Sequence, residues 1–181
     1  MRREIYAGKV VNLAVEDVRL PNGETTTLEL MRHPGAAGAV PLFADGTVAI
    51  LRQYRHAVGG WLWEIPAGKL DVPGEDPLAC AQRELAEEAG LTARAWHKLG
   101  SIYTTPGFCD EIIHLYLARD LSEVQRHHER DEVIEVHRMS LEDAIARIPT
   151  EEIRDTKTIA ALQATALLFG GGLGTGWKAA I

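Results

Sequence analysis

Residues 68–91, GKLDVPGEDPLACAQRELAEEAGL, place Glu84, Glu87 and Glu88 within about one turn of a predicted helix. Acidic side chains three or four positions apart on a helix repel each other by roughly 0.2–0.5 kcal/mol per pair. The stability of the helix therefore gives no reason to put these three residues together. The cluster needs another source of stabilisation.

The bounds of this helix follow from the residues that flank it. Asp76 can cap the free N–H groups of the first turn, where the missing donor of Pro77 costs nothing, and Gly90 suits the end of the helix. Taken alone, an acidic arc on a helix is most often a solvated face. Here the neighbouring arc is apolar, so one side of the helix packs; it consists of Leu78, Ala81, Leu85 and Ala89.

A longer pattern surrounds the glutamates. From Arg83 onward the sequence reads Arg-Glu-Leu-x-Glu-Glu-x-Gly-Leu, with Glu75 eight residues earlier and Gly68 further upstream. This pattern resembles the signature of the Nudix hydrolases. It departs from that signature in one respect, because six residues rather than five separate Gly68 from Glu75. The extra residue precedes the helix, where a loop can absorb it without rotating the later glutamates.

A hard divalent cation accounts for the acidic cluster. Mg²⁺ takes about six oxygen ligands near 2.1 Å, and carboxylates about one turn apart can share such an ion. The resemblance to Nudix hydrolases implies that Glu84 and Glu88 are the principal metal ligands, that Glu87 is an auxiliary ligand, and that the backbone carbonyl of Ala67 is a further one. Mn²⁺ or another divalent cation can substitute, since oxygen ligands select weakly among them.

The same resemblance implies catalytic roles beside the ligands. Arg83 and Glu75 would support the metal site as a pair, and Arg83 and Glu87 are both candidate catalytic residues. A glutamate on a loop after the helix would act as the base for the attacking water, and the loop HHERDEVIEV offers Glu129 and Glu132. We favour Glu132 because it directly precedes a predicted strand. The alternative is an ordinary charged loop.

The resemblance extends over most of residues 9–160 and favours one substrate. The segments around PNGE, RQYR and TTPGF are similar to those of ADP-ribose pyrophosphatases, and Pro106 lies fifteen residues beyond Leu91, near a characteristic proline of that subgroup. The implied reaction is metal-dependent hydrolysis of ADP-ribose to AMP and ribose 5-phosphate. The alternatives are another nucleoside diphosphate sugar, such as GDP-mannose, and a sensor that binds nucleotide sugars without turnover.

Candidate substrate-binding residues come from the same comparison. Arg55 resembles a position that contacts the diphosphate or the terminal ribose, and its fork suits bidentate contacts with phosphate; a surface salt bridge is the alternative. Arg52 is a second candidate. Glu64 matches a recurrent acid that binds ribose or orients the loop. Pro106 and Glu111, in TTPGFCDE, complete the set, and Glu111 serves either substrate binding or structure.

The resemblance implies an α/β (α+β) Nudix fold, in which a mixed sheet lies between helices and is preceded by an N-terminal antiparallel sheet, and the patterns along the chain fit it. Apolar and polar residues alternate over 6–31 on either side of PNGE, which indicates an antiparallel pair of strands. AVPLFADGTVAILRQYR, residues 39–55, repeats this pattern around Asp45-Gly46 and predicts a second hairpin. Later helices are predicted near 140–148 and 156–169.

The length of 181 residues and a hydrophobic content of 46% predict one domain over 1–181. Within it, we expect 1–35 to take part in a homodimer, by resemblance, and 170–181 to form a flexible tail. The net charge of -7 argues against a nucleic-acid surface. The sequence shows no run of eighteen apolar residues and no signal peptide, which predicts a cytoplasmic protein without membrane partners.

Overall fold

A computed structural model of the chain describes residues 1–127 and 132–169. The first part of the chain forms an antiparallel sheet with strand order β1-β2-β3. Its strands are β1 (Arg2–Ala7), β2 (Asn12–Arg19) and β3 (Thr25–Arg32). The pairing of β2 with β3 confirms the predicted antiparallel pair around PNGE. Strand β1 was not predicted, because its charged start, RRE, does not alternate with apolar residues.

Two further sheets form the centre of the fold. The larger one is mixed, with order β7-β4-β9-β8, and only β4 and β9 in it run parallel. It consists of β4 (Ala36–Pro41), β7 (Ala67–Lys69), β8 (Leu91–Tyr103) and β9 (Ile112–Glu123). The other is antiparallel, with order β10-β5-β6. It consists of β5 (Thr47–Arg55), β6 (Gly60–Glu64) and β10 (Ile134–Ser140).

The helices begin and end close to the predicted positions. The Oδ1 atom of Asp76 accepts hydrogen bonds from the N–H groups of Leu78 and Ala79, at 2.9 and 3.1 Å, and Pro77 occupies the first turn. Gly90 ends the helix in the left-handed region, with φ 67°. The helices are α1 (Pro77–Ala89), α2 (Leu141–Ala146) and α3 (Thr156–Phe169), with a short 3₁₀ turn at His56–Val58.

Strand β4 lies between two apolar cores, which confirms the predicted sheet between helices. All six of its residues are buried. Val40 packs in a core that includes Leu162 of α3, while Ala37 and Ala39 belong to a core with Leu85 of α1. Successive side chains of a strand point to opposite faces, so this one strand carries a helix on each side. The small alanines leave room for α1 close to the sheet.

The predicted hairpin around Asp45-Gly46 is wrong. A turn does form there, with φ 83° at Gly46, but β4 and β5 belong to different sheets and meet only at an isolated bridge between Leu42 and Val48. The physical reason is that β4 is buried on both faces and pairs in parallel with β9. An apolar strand of this kind lacks the polar face that the alternating pattern implied.

The ends of the chain bear on three further predictions. Residues 1–35 do form the antiparallel strands, but whether they mediate a dimer stays a prediction. The predicted tail, 170–181, lies outside the described residues. Within the described part of the chain, no helix combines the length and the apolar character needed to cross a bilayer.

Candidate active site

A cavity of about 500 Å³ opens beside the acidic arc of α1. It is bordered by α1, strand β7, the turn between β1 and β2, and the segment just before β10. Its ionisable lining is mixed in sign. The acids are Asp71, Glu84, Glu87, Glu88, Glu111 and Glu132, and the bases are Lys9, Arg55, Lys69, Arg83 and Lys157.

Arg83 is bonded to three glutamates at once. Its Nε and Nη2 atoms donate to the two carboxylate oxygens of Glu75 at 2.9 and 3.0 Å. Its Nη1 atom donates to Glu84 at 2.6 Å and to Glu87 at 3.0 Å. The hydrogen bonds from Arg83 hold the pKa of the Glu75 carboxyl below its usual range. Arg83 therefore supplies part of the positive charge that the cluster needs, and the predicted pairing with Glu75 fits these contacts.

The extra residue before α1 does not displace Glu75. The segment between Gly68 and Glu75 turns at Gly74, which has φ 80°, and the Glu75 N–H donates to the Val72 carbonyl at 3.1 Å. The turn takes up the additional length, as loops do. Glu75 thus reaches Arg83 from outside the helix.

Glu88 is the most deeply buried acid of the cluster, with 3% of its surface exposed. Its Oε2 atom accepts a hydrogen bond from the Ala67 N–H at 2.8 Å. Burial is the largest cause that raises the pKa of Glu88, the hydrogen bond from Ala67 opposes it, and the negative charges of Glu84 and Glu132 add to it; together they bring the pKa to about 8. A buried carboxylate with acidic neighbours and no bonded cation is a position where added positive charge is favourable.

Glu84 is held close to strand β7. Burial raises its pKa, although Arg83 lowers it. A Cβ atom added to Gly68 would lie 1.8 Å from Glu84 Oε1, so only glycine leaves room for this carboxylate. Glu84, Glu88 and the peptide of Ala67 therefore meet at one end of β7.

These groups fit a hard divalent cation by their chemistry, because they offer oxygen ligands, and the raised pKa values of Glu84 and Glu88 show that added positive charge is favoured there. As the side chains stand, no three histidine, cysteine, aspartate or glutamate side chains among the described residues are gathered around one cation position. The contacts explain this: Arg83 draws Glu84 and Glu87 toward itself, and Glu88 is bonded to Ala67. Arg83 bonds Glu84 through Oε1, and a carboxylate can use both of its oxygens, so Glu84 can turn toward a cation while Arg83 keeps its two bonds to Glu75.

Of the two candidate bases, Glu132 lies at the cavity. Its negative charge raises the pKa of both Glu84 and Glu88, so its carboxylate is near both. Glu129 lies outside the described residues. The role of either residue as base stays a prediction.

Arg55 and Glu64 form one unit at the cavity wall. Arg55 lines the cavity, and its Nε and Nη2 atoms donate to the two oxygens of Glu64 at 2.8 and 2.9 Å. Glu64 itself is 2% exposed and does not line the cavity. Lys157 of α3 donates to the same carboxylate. The two roles considered for Glu64, ribose binding and orientation of the loop, stay predictions, and the observed contacts of its carboxylate are with Arg55 and Lys157.

Of the remaining candidate substrate-binding residues, one lines the cavity and two do not. Glu111 lines the cavity and accepts a hydrogen bond from Thr104 Oγ1 at 2.8 Å. Arg52 does not line it; it is three residues from Arg55 and therefore on the other face of β5. There its guanidinium lies 5.2 Å from the ring centre of Trp61. Pro106 is exposed in a turn, away from the cavity lining. Substrate contacts by Arg52 and Pro106 stay predictions.

Several lining residues were not found from the sequence, namely Lys9, Val10, Lys69, Asp71 and Lys157. The position of Lys157 in the sequence could have indicated its role. It is the second residue of α3, where a positive charge opposes the helix dipole. A lysine at this position needs an acidic partner, and Asp155 and Glu64 supply two.

A model of the NUDIX domain matches residues 32–162 of this chain. The chain belongs to the Nudix family. The match includes α1, the strands around it and most of the cavity lining. It confirms the resemblance that the residues from Gly68 to Leu91 indicated.

Nudix relatives of this chain carry more than one name. A Bacillus subtilis (strain 168) protein named ADP-ribose pyrophosphatase is 43% identical over 164 residues, which cover 90% of this chain and 88% of the relative. A Bacillus methanolicus protein named methanol dehydrogenase activator is 41% identical over 162 residues, covering 88% and 87%. A Cronobacter sakazakii GDP-mannose pyrophosphatase is 34% identical over 153 residues, covering 75% and 78%.

The fold is also found in a solved structure. A crystal structure of an ADP compounds hydrolase superposes with a TM-score of 0.81, over 95% of this chain and 94% of that chain. The two sequences are 20% identical, so this similarity concerns the Nudix fold alone.

Proposed function

We propose that this chain hydrolyses the diphosphate bond of ADP-ribose, giving AMP and ribose 5-phosphate. The observation that carries the proposal is a cavity that has Glu84, Glu88 and Glu132 and also Arg55 in its lining. Acids suit a bridging cation, and an arginine suits the oxygens of a diphosphate. The 43% identity with a protein named ADP-ribose pyrophosphatase supports ADP-ribose as the substrate.

We propose Mg²⁺ as the cofactor, with Mn²⁺ as a substitute. Glu84, Glu88 and the carbonyl of Ala67 would hold it, and Glu87 would assist. When bound, the cation neutralises negative charge on the diphosphate. Arg83 would remain on Glu75 and keep the helix residues oriented.

The residues of the chain then have separate tasks. Arg55 binds the diphosphate oxygens and fixes the substrate in the cavity. Glu132 accepts a proton from a water molecule whose oxygen attacks one of the two phosphorus atoms. The bond between that phosphorus and the bridging oxygen breaks, and the bridging oxygen leaves with the other phosphate group. Positioning and electrostatic stabilisation supply most of the acceleration in such reactions.

Two alternative functions are a different substrate and binding without hydrolysis. Hydrolysis of GDP-mannose uses the same residues, and a relative that bears this activity in its name is 34% identical. A sensor that binds nucleotide sugars without turnover is less favoured, because the acids of α1 and Glu132 all reach the cavity. We further propose that the chain acts in the cytoplasm as a homodimer, with the β1-β2-β3 sheet at the interface.

The test measures AMP release from ADP-ribose and GMP release from GDP-mannose, each with Mg²⁺ and with a chelator. Cation-dependent release of AMP, at a clearly higher kcat/KM than release of GMP, supports the proposal. A preference for GDP-mannose contradicts the substrate assignment. Tight binding of ADP-ribose without turnover of either compound identifies a sensor.

A further inference from the structure

The carboxylate of Glu64 joins the cavity wall to the last helix. It is 2% exposed and accepts hydrogen bonds from Arg55 on one side and from Lys157 on the other. Lys157 also pairs with Asp155, whose Oδ2 atom lies 3.1 Å from Nζ. Arg55, Glu64, Lys157 and Asp155 therefore form a continuous chain of alternating charge, which we call the charge chain.

The two cations of the charge chain differ in exposure. The side chain of Arg55 is 42% exposed, whereas that of Lys157 is only 11% exposed, although both line the cavity. Arg55 uses Nε and Nη2 on Glu64, and neither bond involves Nη1. This geometry leaves the Nη1 edge for an oxygen of the ligand. The direction of that edge depends on how Glu64 is held.

Lys157 fixes Glu64 in two ways. It donates to Oε2, the oxygen that also accepts from Arg55 Nη2, so the carboxylate cannot rotate without losing one of these bonds. It also balances the charge: two cations face two anions in the charge chain. Without Lys157, Arg55 would face both Glu64 and Asp155, and a net negative charge would border the cavity where an anionic diphosphate binds.

We infer that Lys157 is a positioning residue, which acts through Glu64 to orient Arg55 toward the diphosphate. This inference rests on the proposed function. It makes α3 part of the substrate site, although the helix contributes no residue to the acidic cluster.

A purely structural role for Lys157 is weakened by a second attachment of the same helix. Thr158 Oγ1 accepts a hydrogen bond from the Ile65 N–H at 2.9 Å and donates to Asp155 Oδ2 at 2.6 Å. Leu162, one turn later, is buried in the core. Helix α3 is therefore anchored without Lys157, and a change at Leu162 can perturb the helix while the charge chain stays intact.

The experiment compares the parent with Lys157→Met, which keeps the length of the side chain and removes its charge. With ADP-ribose and Mg²⁺, we expect KM to rise about tenfold and kcat to change by less than about threefold. The Kd for a nonhydrolysable ADP-ribose analogue should rise in parallel. Leu162→Val is the matched structural control: it should lower Tm and leave KM within about twofold of the parent.

Two double variants test whether the rise in KM of Lys157→Met comes from the lost charge and from the lost positioning of Arg55. Adding Asp155→Asn to Lys157→Met restores neutrality and keeps a residue that caps helices well, so KM should recover by at least about threefold. In an Arg55→Met background, Lys157→Met should raise KM by less than about threefold, because the residue to be positioned is gone. If Lys157→Met does not fold, Lys157→Gln replaces it, since glutamine can still donate to Glu64.

The outcomes are decisive. A KM for Lys157→Met within about twofold of the parent overturns the inference, as does a full tenfold effect in the Arg55→Met background. A parent that binds the analogue and fails to hydrolyse ADP-ribose refutes the proposed function only, and the Kd comparison still decides the role of Lys157. A parent that neither binds nor hydrolyses refutes both.

Discussion

The Ala67 N–H donates a hydrogen bond of 2.8 Å to Glu88 Oε2, and this bond joins strand β7 to the acidic face of α1. Glu88 is 3% exposed, and its carboxyl group has acidic neighbours in Glu84 and Glu132. The bond fixes the position of the carboxylate but supplies only a neutral donor. The raised pKa of Glu88, about 8, means that the carboxyl group holds a proton near neutral pH when no cation is bound, and a divalent cation would replace that proton. This replacement can be measured directly.

Addition of Mg²⁺ or Mn²⁺ should raise the Tm of the chelated protein. A cation that binds the native state and not the unfolded chain stabilises by about 2.7 kcal/mol at a concentration one hundred times its Kd. For a domain of this size, that corresponds to an increase in Tm of roughly 5–10 °C. Thermal melts with a chelator and with increasing cation measure the effect, and an unchanged Tm at millimolar Mg²⁺ would contradict it.

Glu88→Gln should preserve the fold and remove the binding of the cation. Glutamine keeps an oxygen that can accept from the Ala67 N–H and removes the buried charge. We expect the chelated variant to melt at or above the parent temperature, to lose most of its response to Mg²⁺, and to lose at least about a hundredfold in kcat/KM for ADP-ribose. Retained activity would show that Glu88 is not a ligand.

Gly68→Ala should lower activity because it displaces Glu84, and it should not unfold the protein. The new Cβ would meet Glu84 Oε1 at 1.8 Å, so the carboxylate must move away from β7. We expect kcat/KM to fall by roughly 10- to 100-fold, with weaker Mn²⁺ binding by calorimetry. Gly60→Ala is the matched control, because a Cβ there meets nothing within 4 Å. Equal losses in both variants would mean that the effect of Gly68→Ala does not arise from the contact with Glu84.

The sequence predicted those parts of the site that depend on local spacing. Asp76, Pro77 and Gly90 set the bounds of α1, and the one-turn spacing of Glu84 and Glu88 placed both on the face that borders the cavity. The contact of Lys157 with Glu64 spans 93 residues, and no local pattern reports such a distance. Arg52 shows a related difficulty: it shares a motif with Arg55, but the alternation of β5 sends the two to opposite faces.

Prediction of the fold was limited in the same way, because strand pairing depends on distant residues. The apolar residues of β4 predicted a strand, yet the choice of partner depended on β9, which begins at Ile112, far along the chain. A turn at Asp45-Gly46 is compatible with a hairpin and equally with a strand that leaves for another sheet. Pairing in parallel with a distant strand is a long-range property that the turn residues do not encode.

The ion pairs of Glu64 should make the protein less stable in acid. Burial alone raises the pKa of a carboxyl, but Arg55 and Lys157 outweigh that cost, and the pKa of Glu64 in the folded protein lies below its ordinary value. Its contribution to stability is therefore fully present above the ordinary value, near pH 4.5, and is lost as the pH falls through the folded pKa. Urea unfolding of the parent at pH 6 and at progressively lower pH should show this loss.

Glu64→Gln is the control for that titration. At pH 6 the variant should be less stable than the parent, because Arg55 and Lys157 lose their anionic partner. The difference in the free energy of unfolding between parent and variant should narrow as the pH falls below 4.5. A constant difference over this range would show that the pKa of Glu64 is the same in the folded and the unfolded protein.

Glu132→Gln should slow the chemical step without weakening the binding of substrate. The proposed base accepts a proton from water, and removal of a general base typically costs about 10²- to 10⁴-fold in rate. Because Glu132 raises the pKa of Glu84 and Glu88, its neutralisation should also change cation affinity, so Mn²⁺ binding is measured beside kcat and KM. Glu129→Gln, in the same segment, is the matched comparison. A large loss of kcat in Glu129→Gln with a small one in Glu132→Gln would reassign the base, whereas small losses in both would mean that neither glutamate removes the proton.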